Sequence, residues 1–189
     1  MIHENLSDDS MNNQNQNQNQ SRDRDRDREG KGEGEGEEVV SRKQIHIIEY
    51  GDGSRYEGEI YQTFVSNVKQ KHGRGKMTYR NGNIYEGEWL YNKRHGEGKC
   101  VATSGVLVYK GSYKNDKQDG YGEYTDPIDG HTYKGSWKDG NKDGEGEMTL
   151  PDGATYKGSW KDDKMDGEGE YTWADGDTYK GSWKDDNKD

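Results

Sequence analysis

A Tyr-x-Gly-x-(aromatic or Ile) unit recurs from Tyr56, Tyr85, Tyr109, Tyr133, Tyr156 and Tyr179, at spacings of 29, 24, 24, 23 and 23 residues. A period of this length means an array in which each unit packs on its neighbours. Eleven residues after Tyr85, Tyr109, Tyr133 and Tyr156 comes a Gly-x-Gly, at Gly96/Gly98, Gly120/Gly122, Gly144/Gly146 and Gly167/Gly169. In the first unit the gap is 17 residues, to Gly73/Gly75, so an insertion of six residues is expected around 64–69. A turn glycine stands three or four residues before each Tyr, at Gly53, Gly82, Gly105, Gly130, Gly153 and Gly176.

Each unit reads as a β-hairpin. In Tyr133-Lys134-Gly135-Ser136-Trp137 alternate side chains point to opposite faces, so Tyr133, Gly135 and Trp137 share one face and Lys134, Ser136 and Lys138 the other. Residues 139–143 are rich in turn formers. The return strand, 144–149, places Gly144, Gly146 and Met148 on one face and Glu145, Glu147 and Thr149 on the other. Pro151-Asp152-Gly153 turns the chain into the next unit. The bare glycines are expected to let rings from neighbouring hairpins lie flat on the backbone. A Lys strand beside a Glu strand makes opposite-charge cross-strand pairs. The fold class that follows is all-β: an elongated antiparallel meander of tandem hairpins.

Composition decides what kind of core such a meander has. Leu, Ile, Val and Phe total 19 of 189 residues, 35% of the chain is charged, and the net charge is −10. The mean hydropathy is −1.55. These values describe a disordered chain, but 14 Tyr and 5 Trp do not. Every aromatic lies at or after Tyr50. Aromatic side chains bury about 150–250 Å² each, so two or three per repeat replace an aliphatic core. Before them come an Asn/Gln alternation at 12–20, an Arg/Asp alternation at 22–28 and a Gly/charged alternation at 30–38. Residues 1–40 hold 11 acids and 5 bases, more than half of the net charge. Residues 1–44 are therefore read as a disordered, low-complexity, solvated tail, and 45–189 as the repeat array with a partial sixth unit at 179. Ile45-His46-Ile47-Ile48 reads as a short strand opening the array. No apolar run suits a membrane helix or a signal peptide.

Tyr85-Glu86-Gly87-Glu88-Trp89 followed by His95-Gly96-Glu97-Gly98 closely resembles the MORN (membrane occupation and recognition nexus) repeat, whose consensus is roughly Y-E-G-E-W-x-N-G-K-x-H-G-x-G. The resemblance covers about residues 50–189. Later units depart from it, with Tyr-Lys-Gly-Ser-Trp in the first strand and Asp119, Asp143 and Asp166 where the pattern has His. The resemblance implies a partner-binding array, in cytoskeletal, ciliary or membrane-contact assemblies.

No set of residues assembles a catalytic centre. His72 and His95 share one repeat position, which assigns them turn and packing roles, and His131 stands alone in a turn. Cys100 is the single cysteine, so neither an intramolecular disulfide nor a cysteine-rich zinc site can form. Residues 139–144 match half of a calcium loop, but Leu150 stands where a bidentate Glu is needed. Gly75-Lys76 and Gly98-Lys99 lack the rest of a phosphate loop. The expectation is no enzyme, no cofactor and no metal. Nucleic acid is excluded as a partner by the negative net charge and the small basic patch.

The leading functional reading is a protein-interaction scaffold offering an aromatic-lined surface to a helix or peptide. Its candidate contact residues are Tyr85, Trp89, Tyr109, Tyr113, Tyr133, Trp137, Tyr156, Trp160, Tyr179 and Trp183. The alternative is a weak phosphoinositide or acidic-lipid binder, using the row Lys110, Lys134, Lys157 and Lys180. The first repeat, with Lys69, Lys71, Arg74, Lys76 and Arg80 and a net charge of +3, is the candidate site for an anionic partner. The resemblance implies a third reading, the regulatory part of a larger phosphoinositide kinase or SET methyltransferase. The chain stops at Asp189, after the Tyr179–Trp183 strand and before its Gly-x-Gly, which leaves an edge strand expected to be unpaired. That edge either belongs to a truncated array, or pairs with another chain in an end-to-end homodimer, or frays. With no targeting signal, the cytoplasm is the default location, with cytoskeletal or membrane association implied by the resemblance.

Overall fold

The computed structural model describes residues 44–62 and 68–189. The tail expected before residue 44 and the centre of the 64–69 insertion lie outside the described residues. Thirteen strands follow in chain order: β1 (His46–Glu49), β2 (Arg55–Tyr61), β3 (Gln70–Thr78), β4 (Ile84–Leu90), β5 (Lys93–Val101), β6 (Leu107–Lys114) and β7 (Lys117–Thr125). They continue with β8 (Thr132–Lys138), β9 (Asn141–Thr149), β10 (Thr155–Lys161), β11 (Lys164–Thr172), β12 (Thr178–Lys184) and β13 (Asn187–Lys188). All join one antiparallel sheet in which spatial order equals sequence order. At about 4.8 Å per strand spacing the ladder is about 58 Å long. Among the described residues no helix is long and apolar enough to cross a membrane.

The turns that join the strands are tighter than the composition of 139–143 suggests. Asp139 and Gly140 alone form the turn, at φ 51° and 95°, and β9 already starts at Asn141. Two consecutive positive φ values define a type I′ turn, whose twist matches that of the flanking strands. Tyr91-Asn92, Asn115-Asp116, Asp162-Asp163 and Asp185-Asp186 do the same. A bulge then absorbs the extra residues. Pairing passes from Gly135↔Gly146 to Trp137↔Lys142, so the return strand carries two residues more than its partner. Gly144 occupies the bulge at φ 104°, a conformation that a side chain would strain. His72 and His95 precede the equivalent bulge glycines, so they sit in β3 and β5 rather than in turns. The segment that half-matches a calcium loop is this turn and the strand after it.

Hairpins are also joined to one another through their turns. The second turn residue of each donates its N–H to the preceding return strand, as Asp163 does to the Lys142 carbonyl (3.0 Å). Its side chain accepts an N–H in return: Asn92 from Lys71, Asp116 from Arg94, Asp163 from Lys142 and Asp186 from Met165, each at 2.8 Å. Gly140 has no side chain to complete the pair.

The core is a single aromatic seam on one face of the sheet. Tyr56, Tyr85, Tyr109, Tyr133 and Tyr156 are essentially fully buried. Tyr85, Tyr109, Tyr133 and Tyr156 each meet an indole or phenol in their own hairpin and another in the next, whereas Tyr56, with Ile60 in its own strand, meets only Trp89 of the next. Tyr133, for example, meets Trp137 at 5.1 Å and Trp160 at 5.3 Å, both edge-on. The chain of edge-to-face contacts runs unbroken from Tyr56 to Tyr179. Such pairs contribute about 0.5–1.5 kcal/mol beyond their area. Polar ends are satisfied internally. The Tyr133 and Tyr156 hydroxyls donate to the carbonyls of Ser136 and Ser159, each at 3.0 Å. Trp89, Trp137, Trp160 and Trp183 donate Nε1–H to Gly75, Gly122, Gly146 and Gly169 of the preceding hairpin.

The paired glycines make room for this seam, with one change from the sequence expectation. The ring lying flat over Gly135 and Gly146 is Tyr133 of the same hairpin, and a Cβ on Gly146 would overlap it. The neighbouring hairpin contributes the indole hydrogen bond instead. Cys100 lies half-buried in β5 opposite Tyr109, where burial pushes its thiol pKa up. At the far end, Trp183 and Lys184 pair with Lys188 and Asn187 of β13, so the last edge is partly covered by its own return strand.

Candidate partner-binding surface

The two faces of the sheet differ completely in what they can offer a partner. On the aromatic face, Tyr85, Trp89, Tyr109, Tyr113, Tyr133, Trp137, Tyr156, Trp160 and Trp183 are all buried, none more than 9% exposed. Tyr179 is partly buried against the same cluster. Cationic stems close this face further: Lys71 lies over Trp89 at 4.3 Å, Lys142 over Trp160 at 4.6 Å and Arg94 over Tyr113 at 5.2 Å. Burial is the main influence on the Lys71 ammonium and pulls its pKa down to about 8. Burial likewise pushes the Tyr156 phenol up to about 12. The structure thus brings the ten sequence candidates together, but as packing between repeats, with little area left to touch.

The opposite face is open and charged. Residues directly across from one another form a row: Glu57, Lys76, Glu86, Lys99, Lys110, Glu123, Lys134, Glu147, Lys157, Glu170 and Lys180. Charge alternates from strand to strand, and the alternation makes ion pairs: Lys99–Glu86 at 3.0 Å, Lys134–Glu123 at 2.8 Å and Lys180–Glu170 at 3.7 Å. It breaks once, at Lys99↔Lys110. The first two units carry Glu on the outgoing strand and Lys on the return; the later units reverse this. The reversal is visible in the sequence as Tyr-Glu-Gly against Tyr-Lys-Gly. That it places two lysines side by side needs the register.

A groove of about 490 Å³ lies on this face over β2–β6. Its charged lining is Glu57, Arg74, Lys76, Glu86, Glu97, Lys99 and Lys110, and Ile45 forms its rim. Glu97 is engaged by the Ser112 hydroxyl and Glu86 by Lys99. Lys110 makes no ion pair among the described residues. Of the five cations expected to form an anion site, Arg74 and Lys76 reach the groove, whereas Lys71 turns to the aromatic face. The lysine row Lys110, Lys134, Lys157 and Lys180 is interleaved with glutamates, so it forms no continuous basic stripe.

Two features escaped the sequence reading. Tyr121, 57% exposed, stands on the charged face opposite Ser136. Its signal was available: the middle residue of the Gly-x-Gly is Arg74, Glu97, Glu145 or Glu168 in the other units. His131 is not alone. Its Nδ1 lies 2.7 Å from Asp129, and with Asp126 the three offer ligand atoms within 4.8 Å of one another. Asp126 already accepts the Ile128 and Asp129 N–H groups and the Tyr124 hydroxyl. Partial burial pushes its carboxyl pKa up, but these donors outweigh it and hold the pKa below its usual value. The trio ties down the loop between β7 and β8.

A family model described as the MORN repeat matches residues 69–84, 85–106, 109–130, 133–155 and 156–178. No curated protein matches the chain. Thirty-two chains of solved structures do. One is the TCP domain of SAS-4 (dCPAP) of Drosophila melanogaster, in complex with a proline-rich motif of Ana2 (dSTIL). It is 18% identical over 80% of this chain and 89% of that one, with a TM-score of 0.38.

Proposed function

The chain belongs to the MORN repeat family, a non-catalytic repeat, and from that premise we propose that it is a non-enzymatic protein-interaction scaffold whose docking surface is the charged, grooved face of the sheet. The carrying observation is the division of labour between the faces. The aromatics hold the array together, and the shallow groove over β2–β6 is left open. A protein partner presenting a peptide or helix would lie across the strands, meeting Lys76, Lys99, Lys110 and Tyr121 in turn. The rims of the aromatic candidates, Tyr179 foremost, would add contacts only at the edge of the array. The expected setting is the cytoplasm, on a cytoskeletal or membrane-contact assembly.

Affinity capture followed by cross-linking tests this reading. A partner held by the native chain should be lost by Lys76→Glu with Lys110→Glu while the melting temperature is retained. Capture that survives this double reversal would overturn the assignment to this face. Salt-sensitive pelleting with phosphoinositide vesicles, in place of protein capture, would favour the acidic-lipid reading.

A further inference from the structure

The groove has one place where the lattice of charges asks for an anion. At Lys99↔Lys110 two ammonium groups are direct cross-strand neighbours, a destabilising arrangement unless a counter-charge is supplied. Glu86 serves Lys99 at 3.0 Å, but Glu123, the cross-strand neighbour of Lys110 on its other side, is engaged by Lys134 at 2.8 Å, so Lys110 is left without an ion pair among the described residues. Both lysines line the groove. No other neighbouring pair in the row repeats a sign.

The sequence holds an anion of suitable form at a suitable distance. Residues 32–38 read Gly-Glu-Gly-Glu-Gly-Glu-Glu and lie outside the described residues. In an extended chain Glu33, Glu35 and Glu37 point the same way with only glycine between them. The described chain starts at the groove itself, because Ile45 is part of its rim. Glu38 is seven residues before Ile45, a reach of about 23 Å when extended. From β1 to β5 and β6 is four and five strand spacings, about 19 and 24 Å. The tether therefore lets Glu37 and Glu38 arrive at Lys99 and Lys110 with little slack, and a short tether supplies an effective concentration of about millimolar.

We infer that Lys99 and Lys110 form an anion-binding site whose occupant is the glutamate-rich segment 33–38 of the same chain, entering by its Glu37–Glu38 end. The inference rests on the groove being the docking surface, and it gives that surface a resident that a partner must displace.

Zero-length carbodiimide cross-linking of the full chain, with peptide mapping of the monomer band, tests it without any partner. The expected result is amide links from Lys99 or Lys110 to Glu33, Glu35, Glu37 or Glu38, roughly tenfold more abundant than links from the same glutamates to Lys157 or Lys180, as a local tether predicts. The Lys99–Glu86 link serves as the internal control for reactivity. Equal yields at all four lysines would overturn the site. Links found only between isotopically heavy and light chains in a mixed sample would overturn the assignment to the same chain. Absence of tail links while the control forms would overturn it outright, yet leave partner capture by the groove untouched, so the two readings fail separately.

Discussion

The aromatic and charged faces are built by the same strands with the same period, yet they do opposite work. On one, Tyr133 touches rings in two hairpins and its hydroxyl is satisfied by the Ser136 carbonyl. On the other, Lys134, the very next residue, meets Glu123 across the strand with both side chains more than half exposed. One face makes the array cohere and the other is free to vary, which is how Glu and Lys could exchange strands between the second and third units without altering the fold. In a linear repeat, stability is carried by nearest-neighbour interfaces, and here those interfaces lie on one face.

Substitutions should separate the faces sharply. Trp160→Ala removes two edge-to-face contacts and the hydrogen bond to Gly146. A cost of about 3–5 kcal/mol is expected for deleting a core Trp, visible as loss of cooperative thermal unfolding by circular dichroism. Retention of the native melting temperature would show that the seam is not the core. Gly169→Ala places a methyl under the Tyr156 ring, and overpacking of this kind costs about 1–3 kcal/mol, to be read from a chemical denaturation midpoint.

Alkaline pH attacks the same face without mutation. Unfolded tyrosines titrate near 10, whereas burial pushes Tyr50 and Tyr156 up to about 12 and raises Tyr56, Tyr85, Tyr109, Tyr113 and Tyr133 as well. The unfolded state then binds fewer protons above pH 10, so stability present below that pH is lost as pH rises through the folded values. Lys71 works oppositely: its folded value of about 8 lies below the usual 10.5, so its penalty is relieved between those pH values. A melting temperature that falls steeply above pH 10, together with phenolate absorbance that appears in step with unfolding, is the expected outcome. Phenolate absorbance growing near pH 10 with the fold intact would contradict the buried seam.

Smaller effects belong to the turns and the ions. Gly140→Asn should supply the missing acceptor for the Gln118 N–H, the position that Asn92 and Asp163 serve elsewhere. A hydrogen bond of this kind contributes about 0.5–1.5 kcal/mol, seen as a rise in melting temperature; a fall would mean that the turn tolerates only glycine there. Lys134→Ala removes an exposed ion pair and should leave the melting temperature within experimental scatter, because exposed pairs contribute little.

Much of this was legible beforehand. The hairpin period, the face assignment of Tyr133, Gly135 and Trp137, and the substitution of aromatics for aliphatics all follow from spacing and composition. Turn boundaries were not, because Asp139-Gly140-Asn141-Lys142-Asp143 is turn-rich throughout, and only the twist match of a type I′ turn followed by a glycine bulge selects the first two. Exposure of the aromatics was not legible either. A Tyr or Trp on one strand face is an open hot spot or a packed ring depending on what lies above it, and here that is the next hairpin and the stems of Lys71, Arg94 and Lys142.

By itself, then, the sequence determined a linear array of hairpins with an aromatic face and a charged face, since a two-residue side-chain period and a 23–24-residue repeat leave no other arrangement for so few aliphatics. Only the tertiary structure decided which face is closed and where the open face is electrostatically incomplete. Both depend on register between hairpins: it is the pairing of one hairpin with the next that sets Tyr133 against Trp160 and brings Lys99 beside Lys110, and no single repeat contains either fact.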